Sequence, residues 1–325
     1  MDIIVTGSIA YDYLMRFPGR FTDHLIKEDL HQVSLSFLVE DMTRHWGGVA
    51  ANISYSMALF GLRPKLMGTV GRDFEDYRRW LTGAGVDTST VRQLDHVFCA
   101  SFFVNTDLEN NQIASFYSGA MAFAKDYAIR DVHPGTPDLV VISPNDPIAM
   151  QNLAEECRQR GLRFVYDPSQ QVPRLNGAEL RRGMEGAYML IVNAYEASLI
   201  SEKTGLSVDE MRDLVDVLVI TRGKNGSDIY VDSDEISVPV APVSAIADPT
   251  GVGDGFRAGL LCGVAHGLPW RTAGEMGSLC AAYVLEQVGP QSHQFTTEAF
   301  VQRFRATFDD GGQLERLLAS QPAQV

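Results

Sequence analysis

The chain is expected to fold as a three-layer α/β protein, with a central, mostly parallel sheet covered by helices on both faces and a small β-sheet lid. Three observations carry this expectation. Short continuous apolar runs, such as Leu139-Val140-Val141-Ile142 and Val217-Leu218-Val219-Ile220, read as strands buried on both faces. Helical patterns closed by glycine stand between them, the alternation of a parallel sheet. Two stretches break that rhythm with polar and apolar residues in period two, as in a half-exposed sheet. The core is assigned to residues 1–10, 47–93 and 121–325, and the lid to residues 11–46 and 94–120.

The elements follow in order. Residues 3–9 read as a first buried strand, and residues 52–60 as a short amphipathic helix closed by Gly61. Residues 73–81 form a helix with an acidic start. Residues 139–142 are a strand, and Pro147 opens a helix that runs to Arg160 and is ended by glycine. Strands follow at 163–166, 190–192 and 217–220, then a β-ribbon over 228–240. The last third is helical, over 256–265, 272–287 and 298–308. In the lid, residues 33–39 and 100–104 alternate as exposed strands do.

Composition narrows the function. The 325 residues are 45% hydrophobic and 21% charged, as in an ordinary globular protein. A formal net charge of −14 disfavours a nucleic-acid partner, because a phosphate backbone requires basic surface. It leaves room for a nucleotide whose charge is partly neutralised by Mg²⁺. Cys99, Cys157, Cys262 and Cys280 lack metal-site spacing and read as reduced, packed thiols. The amino terminus has no basic region followed by a signal-peptide core, and no apolar run reaches membrane-spanning length. Together these features imply a cytoplasmic protein with no membrane partner.

The densest motif is Asp248-Pro249-Thr250-Gly251-Val252-Gly253-Asp254-Gly255-Phe256, which runs into an apolar helix. Its paired glycines are expected to take positive φ and gather several N–H groups. The helix aims its partial positive end at the same spot, making an anion site. Asp254 falls in the first turn, beside whatever anion the loop receives. A phosphate cradle with its own general base is equipment for phosphoryl transfer to a hydroxyl. The plain alternative is an ordinary capped helix start. Four further segments accompany it: Gly7-Ser8 with Asp12, Gly47-Gly48 with Asn52, Asn193 with Glu196, and Thr221 with Gly223 and Gly226. Each also has a structural reading, as loop, helix start or hairpin entry. The last is not a Walker loop, because the Gly-Lys-Ser/Thr ending is absent.

In this order the motifs resemble the ribokinase-like (PfkB) family of sugar and nucleoside kinases, whose signature reads Asp-Thr-Thr-Gly-Ala-Gly-Asp-x-Phe. Pro249 and Val252 depart from it without removing an N–H donor from the 251–254 cradle. The resemblance spans nearly the whole chain and implies a ribokinase-like core. It implies Asp254 as base, with Gly251, Val252 and Gly253 completing the anion hole. Ser8, Asp12, Gly47, Gly48 and Asn52 would bind the substrate. Asn193, Thr221, Gly223 and Gly226 would face ATP, with Glu196 organising Mg²⁺ through water. Some family members hold a monovalent cation such as K⁺ beside the anion loop, which makes Asp248 a candidate; the sequence leaves that open.

The lid narrows the acceptor. Segments 31–39, 112–117 and 167–171 resemble the adenosine kinases of mycobacteria and their relatives. That likeness implies Phe102 and Phe116 stacking on both sides of a purine, Ser36 at the base edge, and Gln170 or Gln171 nearby. Stacking is worth roughly 1–3 kcal/mol per base, energy that a simple sugar cannot use. The expected reaction is phosphorylation of the 5′-hydroxyl of adenosine. The alternative is a sugar such as ribose or fructose on the same fold. A homodimer joined through the open lid edges is also expected.

Overall fold

The computed structural model describes residues 1–24 and 35–319. Its strands are β1 (Ile3–Thr6), β2 (Ala10–Arg16), β3 (Asp41–Gly47), β4 (Lys65–Gly71), β5 (Val91–Leu94), β6 (Ala100–Thr106), β7 (Gln112–Tyr117), β8 (Leu139–Ile142), β9 (Phe164–Tyr166), β10 (Ala187–Asn193), β11 (Val215–Thr221), β12 (Ser227–Val231) and β13 (Asp234–Val238). The helices are α1 (Val49–Leu59), α2 (Glu75–Ala84), α3 (Ile129–Val132), α4 (Pro147–Arg160), α5 (Gly177–Met184), α6 (Ala194–Thr204), α7 (Val208–Arg212), α8 (Val252–Ala265), α9 (Trp270–Leu285), α10 (Thr297–Thr307) and α11 (Glu315–Ala319).

Among the described residues, nine strands form the central sheet in the order β13-β12-β11-β10-β9-β8-β1-β4-β5. All neighbours from β11 to β5 run parallel, and the β11–β12 and β12–β13 pairs are antiparallel. Successive residues of each strand feed opposite faces, as the period of two requires. Ile3, Val5, Val141, Ile191 and Val219 pack beneath α1, α2, α8 and α9. Ile4, Val140, Ile142, Leu190 and Ile220 pack beneath α4, α5, α6 and α7. The apolar runs are continuous because both faces are covered, which is the three-layer arrangement expected.

Local signals explain the helix ends. Asp146 caps α4 by accepting from the N–H groups of Ile148 and Ala149, with Pro147 at the first position and Gly161 left-handed at the end. One expectation is corrected. Helix α1 begins at Val49 rather than Asn52, and it is not amphipathic: all of its residues from Val49 to Ala58 are buried. It is enclosed by the sheet on one side and α8 on the other, so no polar stripe is needed.

A second, four-stranded sheet has the order β3-β2-β6-β7. β2 continues directly from β1 through Gly7, Ser8 and Ile9, and β3 leads through Gly48 into α1. The strand expected over residues 33–39 is not formed by its described part: residues 35–39 are neither helix nor strand. Alternation alone cannot make a strand without a partner, and β2 is already paired on both edges by β3 and β6. Residues 33–34 of that segment lie outside the described residues. Among the described residues, no helix is long and apolar enough to cross a membrane.

Candidate active site

The chain enters α8 through a loop pinned by Asp248. One carboxylate oxygen accepts from the Thr250 N–H at 2.8 Å and the other from the Gly289 N–H at 3.0 Å. Gly251 is the N-cap with φ +79°, and a Cβ there would lie 2.4 Å from Cβ of Pro290. Glycine is required at this position on both counts. Gly253 does not share the left-handed conformation expected of the pair; it lies within the first turn of the helix at ordinary φ. The helical ladder starts with Gly255 N–H donating to Gly251 C=O at 2.9 Å. Among the described residues, the N–H groups of Gly251, Gly253 and Asp254 have no partner, whereas that of Val252 makes a long 3.4 Å bond to Pro249. The cradle therefore offers three free donors at the positive end of a fourteen-residue helix.

Asp254 lies on the first turn with Arg257 three residues on. Arg257 donates to both oxygens of Asp167, at 2.5 and 2.7 Å, and to the Gly253 carbonyl at 3.0 Å. Asp167 follows β9, so the pair ties the anion loop to the middle of the sheet edge. The Asp254 carboxyl is pushed up to about 7, chiefly by burial, against the opposing pull of Arg257 and of a hydrogen bond from Asn52. Burial and then Asp248 raise Asp12 to about 6. Both carboxyls stand close to neutral pH, where an acid–base group works best.

A cleft of about 450 Å³ opens between the lid and this loop. It is lined by Ser8, Asp12, Gly48, Asn52, Phe102, Phe116, Gln170, Gln171, Gly251 and Asp254, so most of the expected substrate residues are brought together. The lid register explains how. Asp12 of β2 pairs with Phe102 of β6, which pairs with Phe116 of β7. Direct partners point to the same face, so one row carries the carboxylate and both rings. The rings therefore form one wall side by side, rather than the two sides of a base slot that the sequence suggested.

Other members take particular places. Ser8 Oγ accepts from the Val49 N–H at 3.0 Å and caps α1. Gly48 has φ +92°, and a Cβ would approach Ser8 C=O and Ala10 N to 2.6 Å. At Gly47 a Cβ would meet Asp12 Oδ2 at 2.4 Å, so the bare backbone makes room for that carboxylate. Ser36 is exposed and does not line the cleft, which corrects the expectation for the base edge. Asn52 is not free to offer an acceptor: its oxygen takes a hydrogen bond from Gln291 at 2.8 Å, and its N–H₂ donates to Asp254.

The residues expected at ATP lie further along the same sheet edge. Asn193 and Thr221 end β10 and β11 and are register partners. Gly223 and Gly226 take positive φ in the tight turn to β12, and at Gly226 a Cβ would reach 2.1 Å from the Val238 carbonyl. Asn193 and Glu196 satisfy each other's N–H groups at 2.8 Å in a capping box. Glu196 is buried near Arg257 and Ser169. Among the described residues, no group of three or more acidic, histidine or cysteine side chains is arranged to hold a metal.

Sequence reasoning missed Arg257, Asp167, Gln291 and the cleft residues Pro144, Met121 and Arg174. A lone arginine inside the apolar string Phe256-Arg257-Ala258-Gly259-Leu260-Leu261 was the available signal for a buried acidic partner. No local pattern marks Gln291, whose contacts lie more than two hundred residues away.

A helix-end anion cradle with a buried carboxylate beside it, on the carboxyl edge of a parallel sheet, defines a phosphotransferase with an alcohol acceptor. The pfkB family carbohydrate kinase domain matches residues 6–297, and the chain belongs to that family. It is 30% identical over 308 residues to a nucleoside kinase of Methanothermobacter thermautotrophicus, covering 94% of this chain and 96% of that one. The Burkholderia thailandensis nucleoside kinase in complex with inosine superposes with TM-score 0.83 at 38% identity, over 94% of this chain and 98% of the other. Its complex with ADP-inosine gives TM-score 0.82 at 38% identity, over 94% and 96%.

Proposed function

We propose that this chain is a nucleoside kinase that transfers the γ-phosphoryl group of ATP to the 5′-hydroxyl of a purine nucleoside, with adenosine the first candidate. One observation carries the reading: Phe102 and Phe116 form an aromatic wall in the same lid row as Asp12, in a cleft that also contains Asp254. An aromatic wall rewards a base, at roughly 1–3 kcal/mol per stack, and does little for a sugar. The likeness to nucleoside kinases over almost the whole chain supports it.

In this reading the ribose lies over Asp12 and Gly48, and the base lies along the two rings with Gln170 and Gln171 at its edge. The 5′-hydroxyl meets Asp254, which accepts its proton late, because the transition state is loose. The free N–H groups of Gly251, Gly253 and Asp254 stabilise the charge on the moving group. ATP lies along Asn193, Thr221, Gly223 and Gly226. Magnesium, which keeps most of its waters and is held largely by phosphates, would neutralise phosphate charge. With one oxygen in its capping box, Glu196 fits contact with that ion through water only. Asp248 holds the loop through one backbone N–H on each carboxylate oxygen, and a lone pair on each stays open to a K⁺ ion.

The lid also supports a dimer. All six residues of β7 are exposed along a sheet edge, and Phe103 stacks on Tyr13 at 4.7 Å on the face opposite Asp12. Sedimentation at micromolar concentration reads the oligomeric state directly.

The function is tested by Mg·ATP-dependent phosphorylation of adenosine, guanosine, inosine, ribose and fructose side by side, followed by ADP release. Adenosine ahead is the expected result. Inosine or guanosine ahead keeps the nucleoside and changes the base, whereas a sugar ahead overturns the reading of the lid.

A further inference from the structure

We infer that Gln291 and Trp80 are positioning residues, which lock the amide of Asn52 so that it presents N–H, never oxygen, to Asp254. The inference rests on reading Asp254 as the base.

A chain of hydrogen bonds, its direction set at one end, fixes the orientation of Asn52. An indole N–H can only donate. Trp80 Nε1 lies 3.0 Å from Gln291 Oε1, so the oxygen of that amide must face α2 and its nitrogen must face inward. The inward Nε2 donates to Asn52 Oδ1 at 2.8 Å and to the Tyr77 hydroxyl at 2.5 Å. Tyr77 accepts there because its own proton is committed to the Gly47 carbonyl at 2.8 Å. With Oδ1 occupied, Asn52 turns its nitrogen to Asp254 Oδ2, at 2.8 Å.

The middle of the chain is enclosed, with Asn52 5% exposed, Gln291 3% and Tyr77 fully buried, while Trp80 and Asp254 at its ends are partly buried. In such surroundings an amide in the wrong orientation would set oxygen against oxygen at one of its ends and N–H against N–H at the other. The orientation is therefore a property of the packed network, not of Asn52 alone. It is assembled from α1, α2, α8 and the loop after α9. Its consequence falls on the base. A donor on Oδ2 favours the charged carboxylate and leaves Oδ1 for the substrate hydroxyl. The other charged groups facing Asp254 are Arg257 on its own helix, Asp167 after β9 and Asp12 from the lid; none of these touches Gln291 or Trp80.

The deciding variant is Gln291→Met, which removes the donor to Asn52 without adding charge. The acid limb of kcat/KM is expected to move up by about one to two units, the size of losing one hydrogen bond to a charged group. Gln291→Glu, which reverses the polarity, should move it further. Trp80→Phe should move it in the same direction and stands in if Gln291→Met does not fold. A merely structural role would lower the rate at every pH and leave the limb where it is, and that result overturns the proposal. Titration of the ¹³C-labelled Asp254 carboxyl in the free protein separates this from the base assignment. If Asp254→Asn keeps its turnover, the base reading fails, and the relay still stands or falls on whether that carboxyl titrates higher in Gln291→Met.

Discussion

Arg257 and Asp167 meet through two hydrogen bonds, with the carboxylate wholly buried and the guanidinium only 7% exposed. The pair joins the first turn of α8 to the end of β9. Ninety residues of chain separate the partners, so the contact fixes the anion loop over the centre of the sheet edge. Removing one partner leaves an uncompensated buried charge. Asp167→Asn is expected to cost about 3–5 kcal/mol in denaturant unfolding. Replacing both with apolar residues of similar volume should cost less than either single change, a comparison that isolates the stranded charge.

Asp254→Asn should lower turnover by about two or more orders of magnitude while nucleoside binding is largely kept. Steady-state kinetics paired with calorimetric binding separates the two. Near-normal turnover in this variant would sink the base assignment.

The pH dependence follows from the same carboxyl. The base must be ionised, so kcat/KM should climb as pH rises through about 7 and level off above it. Stability should run the opposite way. The folded carboxyl holds its proton up to about 7, against an ordinary value of 3.8, so between these limits the native state binds more protons than the unfolded chain. Its contribution is fully present below the lower value and is lost as pH rises through the upper one. Compared with wild type, Asp254→Asn should therefore gain relative stability from pH 4 to pH 7 and then plateau. Denaturant midpoints across that range read the difference.

Gly251→Ala forces a Cβ into left-handed backbone and against Pro290. The backbone term alone is about 1–2 kcal/mol. The loop should relax away from the helix axis, raising the KM for ATP and lowering kcat together. Gly253→Ala, at ordinary φ, escapes the backbone strain, but its methyl would come within 2.9 Å of the Arg257 guanidinium that Asp167 holds, so its cost should fall on that ion pair.

Phe116→Ala removes half of the aromatic wall. The KM for a nucleoside should rise about ten- to a hundredfold, in line with the stacking energy of one base. Slow phosphorylation of free ribose, if measurable, should be unchanged. Equal losses for both acceptors would place Phe116 in the packing of the lid instead.

The layers of this fold were legible because periodicity is local. Leu190, Ile191 and Val192 announce a strand buried on both faces whatever lies around them, and Pro147 with Gly161 brackets α4 by backbone chemistry alone. The anion loop was legible for the same reason. What escaped depends on register and on distant partners. Phe102 and Phe116 were read as opposing faces of a slot; one antiparallel pairing makes them neighbours. Ser36 is placed at a base edge by likeness to other kinases alone, and it stands exposed outside the cleft. Asn52 was read as a free donor and acceptor, and only Gln291 from the far end of the chain shows that its oxygen is taken.

The joint between lid and core has an optical consequence. Trp46, near the end of β3, stacks on Tyr77 at 4.8 Å and lies 6.5 Å from Trp80. Two of the three tryptophans thus stand at the joint between the small sheet and the core, while Trp270 lies by Tyr188. Any hinge movement changes ring distances on which quenching and energy transfer depend steeply. Unlabelled protein carries its own emission signal for ligand titration and stopped-flow, so a change at this joint on binding can be timed separately from chemistry.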